Sequence, residues 1–363
     1  MNSITTRRFP RRLLVSALLL GSLTVWVAAA QQNSSPSQAS APAGKDSGAR
    51  ATAANTFHED WNSISLQTSK FDPQPPLLGQ KENLPDKSFV RELYQVQWRP
   101  NDPLDLYVIR PKGVAKPPVV LYLYSYPSDT ERFKNDGWCT RVTGGGFAAV
   151  GFVSALTGHR FHDRPMKEWF VTHFQESLAT STHDVQMILN YLETRGDLDM
   201  QHVGMFGQGS GAAIAVLAAA ADPRIKAVDL LDAWGDWRDW LVKSNLIPDD
   251  ERPRYLKAQF LKSVAPLDPV RWLPRLKSRA VRMQYVEGTL GIPAECMKRM
   301  EAAAPKTVEV DDYGDERAFY KAAAGGRVFE WIKANVAPGP ESKEVAKNVP
   351  NRHYYPPEGE TIR

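Results

Sequence analysis

The stretch VGMFGQGSGAAIAVLAAAADP, residues 203–223, holds the key to the fold. Val203 to Phe206 is a short apolar run of strand type, and residues 212–221 are apolar on every side, as in a buried helix. Asp222 and Pro223 end that helix. Between the two lies GQGSG, a sharp strand-to-helix turn whose flanks are the small residues Gly207 and Gly211. The residue at the apex of such a turn is pushed above the sheet. Here the apex is Gly209, which has no side chain, and Ser210 follows it.

Working outward, short apolar runs recur at 118–124, 148–155, 202–206, 225–231, 280–286 and 306–310. Runs of this length read as strands covered on both faces. Ahead of them, SFVRELYQVQW and LDLYVIRP around RPNDP predict an antiparallel hairpin. Between the runs lie helical patterns. Val185, Ile188, Leu189 and Leu192 follow a 3.6-residue period behind a Ser181/Thr182 cap, and a last helix is expected over about 316–334. A hairpin followed by alternating strand and helix predicts an α/β protein with a mostly parallel central sheet and helices on both faces. The long connection between 231 and 280 carries Trp234, Trp237, Trp240 and Trp272 and predicts a helical cap, about 233–275, over the C-terminal edge of the sheet.

The ends of the chain are of different composition. Arg7, Arg8, Arg11 and Arg12 precede an uncharged apolar run to Ala30, the pattern of an export signal cleaved near Ala30, with a retained membrane anchor as the alternative because the run is nearly long enough to span. An exported, periplasmic or extracellular location and no stable membrane span after cleavage follow as expectations. The formal net charge of +4 resides in those four arginines, so the remainder is near neutral and carries no nucleic-acid footprint. Residues 31–56 read as a flexible Ser/Ala/Pro linker, 57–87 as an N-terminal extension, 88–336 as the folded domain and 337–363 as a Pro-rich tail. Cys139 and Cys296 are far apart in sequence and are not expected to pair.

Over roughly residues 88–336 the chain resembles the α/β-hydrolase superfamily, in particular its secreted esterases and prolyl-oligopeptidase-like members. The resemblance rests on element order, on YLETRGDLDMQHVGMFGQGSGAAIAVLAAAADPRIKAV and on SVAPLDPVRWLPRLKSRAVRMQYVEGTLGIP. It implies an α/β-hydrolase fold with a G-x-S-x-G nucleophile elbow, an acid after a late strand and a histidine after the last one. At those three positions this chain has Gly209, Gly291 (in VEGTLGIP) and Asp315 (in DDYGDERAF). Where the family often carries His-Gly in its oxyanion segment, Tyr124 and Ser125 stand. The resemblance thus implies the fold together with a dismantled triad and a binding or structural role.

Other readings of the same residues remain open. In a working serine hydrolase Ser210 would be the nucleophile, with His159, His162 or His353 as base; Ser210 also reads simply as a polar residue at a helix N-terminus. Tyr124, Ser125, Gln208, Ser210, Trp234 and Trp237 are candidate pocket residues for a small-molecule or peptide ligand. Asp229, Asp232, Asp236 and Asp239 among the tryptophans would suit a cationic or sugar-like ligand, although such aromatics more often pack a core. His159, His162 and Asp163 lie on the same rim, Glu287 is a candidate acid at a strand end, and no spacing reads as a metal site. Finally, Gly207, Gly209 and Ala212 fit G-x-G-x-x-A with Asp229 some 20 residues on, the dinucleotide-binding pattern, but they do not open the βαβ unit as that pattern usually does. No cofactor is expected under the favoured reading.

Overall fold

A computed structural model describes residues 57–70, 78–100, 102–125, 131–156, 160, 170–276, 279–288 and 291–337. The expected signal, linker and tail therefore lie outside the described residues, as do His159, His162, Asp163, Thr289 and His353. Among the described residues nine strands form one sheet: β1 Leu78–Glu82, β2 Phe89–Arg99, β3 Asp102–Pro111, β4 Pro118–Leu123, β5 Ala148–Phe152, β6 Asp199–Gln208, β7 Ile225–Leu231, β8 Ala280–Tyr285 and β9 Glu309–Asp312. Their spatial order is β1-β2-β3-β5-β4-β6-β7-β8-β9. The first three pair antiparallel, β3 pairs antiparallel with β5, and every later pairing is parallel. This is the mostly parallel sheet with a leading hairpin that the sequence predicts.

The helices are α1 Glu131–Lys134, α2 Asp136–Thr143, α3 Phe174–Arg195, α4 Ser210–Ala221, α5 Trp237–Lys243, α6 Arg252–Tyr255, α7 Ala258–Val264, α8 Pro269–Trp272, α9 Ala294–Ala303, α10 Glu316–Ala324 and α11 Arg327–Val336. Strand periodicity sorts their partners. On β4, Val119, Leu121 and Leu123 join the core built with α3 and α4, whereas Val120, Tyr122 and the following Tyr124 join the one built with α2 and α11. Covering both faces explains why β4 and β5 read as unbroken apolar runs. The connection after β7 forms α5–α8 and short 3₁₀ turns, with α7 against α3 and α8 against α4.

Three elements depart from the sequence reading. Ser181 and Thr182 do not cap α3, which starts at Phe174; Thr182 Oγ1 donates to the Leu178 carbonyl and Ser181 Oγ accepts the Ala155 N–H at 2.9 Å. The helix thus begins two turns earlier than its polar residues suggest, because tertiary partners absorb their hydroxyls. The final helix is two, α10 and α11, broken where Gly326 turns left-handed at φ 85°. The last strand covers 309–312 rather than 306–310 because Val308 N–H closes a turn onto the Pro305 carbonyl.

The N-terminal extension is tied down by a buried ionic cluster. Glu59 takes a bidentate bond from Arg99 (2.6 and 2.7 Å) and contacts His183 Nδ1 at 2.8 Å. Arg99 also reaches Asp184 at 2.5 Å, and Arg160 bridges Asp102 and Asp184. Burial alone would push the Glu59 carboxyl up, but the hydrogen bonds and charges of Arg99 and His183 outweigh it and hold it at about 2.

Candidate functional site

The turn at 207–211 is built by backbone proximity. A Cβ on Gly207 would lie 2.5 Å from Ala212 Cα, and one on Gly211 would overlap the Leu123 carbonyl oxygen at the end of β4. Both flanking glycines are therefore required for α4 to start so close to the sheet. Gly209 has φ 54° and ψ −116°, a conformation that costs other residues about 1–3 kcal/mol. Its N–H donates to the Leu231 carbonyl at 2.9 Å, and its carbonyl accepts from Ala213 and Trp234, each at 3.2 Å. The sharp apex is thus intact and stitched to the end of β7.

What stands over the apex is unusual. A Cβ on residue 209 would overlap Ser125 Oγ, lie 2.8 Å from Ser125 Cβ and lie 3.2 Å from Trp234 Nε1. Ser125 comes from the end of β4 and Trp234 from just beyond β7, so two neighbouring strand ends fill the volume into which an apex side chain would project. Both are buried, and the Trp234 indole N–H has no hydrogen-bond partner among the described residues. Ser210, the first residue of α4, is fully buried.

The other two positions are likewise occupied by structure. Gly291 has φ 62°, and a Cβ there would overlap Asn245 Oδ1 and lie 2.9 Å from Leu246 Cγ. The segment following α5 thus closes over the position. Asp315 is the N-cap of α10, its Oδ1 accepting the Ala318 N–H at 2.7 Å.

Of the candidate pocket residues, the structure brings Ser125 and Trp234 together at the apex, with Ser210 beside it in the chain. Gln208 ends β6, buried. Tyr124 is a core residue: its hydroxyl accepts the Trp138 Nε1–H at 2.8 Å and Arg132 covers its ring. Trp237 donates to the Leu267 carbonyl at 2.9 Å and packs edge-on to Phe174, while Trp240 lies flat against Phe174 and close to Trp234. Trp234, Trp237 and Trp240 therefore build core instead of lining a pocket, because their rings pack against one another and against Phe174.

Nor do the aspartates line one ligand site. Asp229 is buried and held by Arg282 (3.0 and 2.7 Å) and by Gln284 Nε2 at 2.8 Å. Asp236 and Asp239 pair with Arg299. Asp232, at φ 48°, accepts the Val286 N–H at 2.9 Å. The dinucleotide pattern fails on the same facts. Asp229 has no carboxylate oxygen to offer a ribose, and the space over Gly209 that a pyrophosphate would need is filled.

Two residues that organise this edge gave no sequence signal. Arg282 sits in mid-strand yet also binds the Arg327 and Val328 carbonyls, joining β7, β8 and α11. Asp268 receives the N–H groups of Asp236, Trp237 and Val270, capping α5 and α8 together, and burial pushes its carboxyl up. Only the Asp-Pro step after Leu267 would have pointed to it.

Cys139 and Cys296 are buried and unpaired; burial pushes their thiols up to about 11 and about 12, so neither is a ready nucleophile. Among the described histidines, His183 is engaged with Glu59 and the Ser63 carbonyl, and His202 with Asp199. No group of three or more described His, Cys, Asp or Glu residues is arranged to hold a metal ion, and no described helix is long and apolar enough to cross a membrane.

No protein-family model and no curated protein matches the chain. Solved structures do. Acetyl xylan esterase 1 from Thermoanaerobacterium sp. JW/SL YS485 is 14% identical with a TM-score of 0.55, covering 71% of this chain and 89% of its own. The acetyl xylan esterase from Paenibacillus sp. R4 is 14% identical with a TM-score of 0.52, covering 72% and 90%. An acylaminoacyl peptidase from Pyrococcus horikoshii is 13% identical with a TM-score of 0.53, covering 69% of this chain and 41% of its own. This chain therefore has the α/β-hydrolase fold.

Proposed function

We propose that this is an exported α/β-hydrolase-fold protein that carries no serine nucleophile at its elbow and acts by binding a small molecule or peptide, not by acyl transfer. One observation supports this above all others: Ser125 and Trp234 fill the volume over Gly209 into which a nucleophile would project. Acyl transfer needs an activated nucleophile beside a base and facing the substrate, and at this apex there is no side chain at all. The residues at the acid and base positions, Gly291 and Asp315, serve the backbone turn and the helix cap.

Labelling of the purified protein with a fluorophosphonate, beside Ser210→Ala and Ser125→Ala variants, tests the reading. Folded protein that takes up no label supports it. Labelling abolished by Ser210→Ala would establish instead the second reading, a displaced working nucleophile, which draws on the similarity to esterase and peptidase structures.

A further inference from the structure

An open cavity of about 540 Å³ lies where β7, β8 and β9 end, a volume within the ordinary range of ligand pockets. Asp232, Tyr285 and Val286 line it at the ends of β7 and β8, and Val310 and Asp312 belong to β9. Ala294, Met297, Lys298 and Glu301 of α9 form another wall, and Lys243 and Asn245, at and just after the end of α5, complete it. The carboxyl ends of parallel strands are where open α/β sheets bind ligands.

We infer that this cavity binds an organic cation, an ammonium group carried on a compact apolar body. Four carboxylates face it, Asp232, Glu287, Glu301 and Asp312, against two lysines. Lys243 is drawn away by Glu295 at 3.4 Å and Asp239 at 3.9 Å, neither of which lines the cavity. Glu287 and Glu301 make no ion pair with any described residue, so that with Lys298 counted against them the lining keeps a net excess of negative charge. Among the described residues, the Asp312 carboxylate accepts only the Gly314 N–H, at 2.9 Å.

The remaining lining selects the body of the ligand. Ile292, Met297 and Val310 supply apolar surface, and Val310 is 40% exposed, large for a branched side chain on a strand. The aromatic residue of the lining, Tyr285, is buried and turns its hydroxyl toward Met283 Sδ, so it offers no open ring face to a sugar. The described carboxylates do not converge as a metal site. An anion would face a net excess of like charge. At the end of β7 sits Asp232, held at a positive φ that side chains adopt reluctantly, a strain that clusters at functional sites.

The test uses the purified full chain with ¹³C-methyl methionine, the Met297 signal being assigned through Met297→Leu. Benzylamine should shift that signal saturably, and benzyl alcohol, equal in shape and uncharged, should bind at least tenfold more weakly. Glu287→Gln with Glu301→Gln should weaken benzylamine tenfold or more, and Lys298→Gln should tighten it several-fold. All three side chains are exposed, so the variants should keep the wild-type melting curve. Should the double variant melt early, the alcohol comparison and Lys298→Gln decide alone. No Met297 shift with benzylamine, or equal binding of amine and alcohol, overturns the assignment. The outcome is independent of fluorophosphonate labelling, which reports on Ser125 and Ser210.

Discussion

Ser125 stands in the volume that any side chain on residue 209 would fill: a Cβ there would overlap Ser125 Oγ and lie 2.8 Å from Ser125 Cβ. Two strand ends therefore enforce the glycine. A side chain there would meet two separate costs, the backbone strain at φ 54° and the overlap with Ser125.

Placing a serine at the elbow should damage the fold without creating hydrolytic activity. Gly209→Ser is expected to lower stability by about 1–3 kcal/mol through the backbone conformation and by about 1–3 kcal/mol more through the overlap with Ser125. Adding Ser125→Gly should recover the part due to overlap and leave the part due to φ. Urea denaturation of the two variants measures this, and equal losses would show that Ser125 is not the obstacle.

Asp229 and Arg282 form a buried pair in the middle of the sheet. Removing one partner strands a buried charge, so Asp229→Ala should cost about 3–5 kcal/mol. Asp229→Ala with Arg282→Met should cost less than the two single changes summed. Additive losses in a double-mutant cycle would speak against a direct coupling.

Stability should fall in mild acid through Glu59. Its carboxyl titrates at about 2 in the folded protein against an ordinary 4.5, so the unfolded state takes up the proton first. The stabilisation is fully present above pH 4.5 and is lost as pH falls from there toward 2. Its size is at most about 3 kcal/mol. Denaturation of wild type and Glu59→Gln at pH 6, 4 and 3 should show curves that differ at pH 6 and converge in acid; a constant gap would exclude this source.

Asp315 caps α10 through the Ala318 N–H. Asp315→Ala should lower stability by about 0.5–2 kcal/mol, whereas Asp315→Asn should stay within a few tenths because Asn caps equally well. Thermal melts distinguish the two, and a large loss in both would mean that the charge, and not the cap, matters.

Much of the architecture is written locally. Unbroken apolar runs at β4 and β5 and largely apolar ones within β6 and β7 mark strands covered on both faces, and the Gly-flanked turn before an all-apolar helix marks the elbow. Short-range sterics decide those features, so neighbouring residues suffice to reveal them. Even the absence of a side chain at the apex follows from counting between Gly207 and Gly211.

Side-chain assignments across the sheet were not legible in this way. Asp229 satisfies a glycine-pattern reading equally well until Arg282, 53 residues later, is seen to occupy it. The tryptophans after β7 could line a pocket or a core, and only Phe170 and Phe174, brought alongside from α3 and its approach, settle that they pack. Likewise, the filling of the elbow by Ser125, and the cavity walled by β8, β9 and α9, arise from residues far apart in the chain. Backbone conformation is a property of a few consecutive residues; space and electrostatic partnership belong to the packed whole, and there the chemistry of this protein was decided.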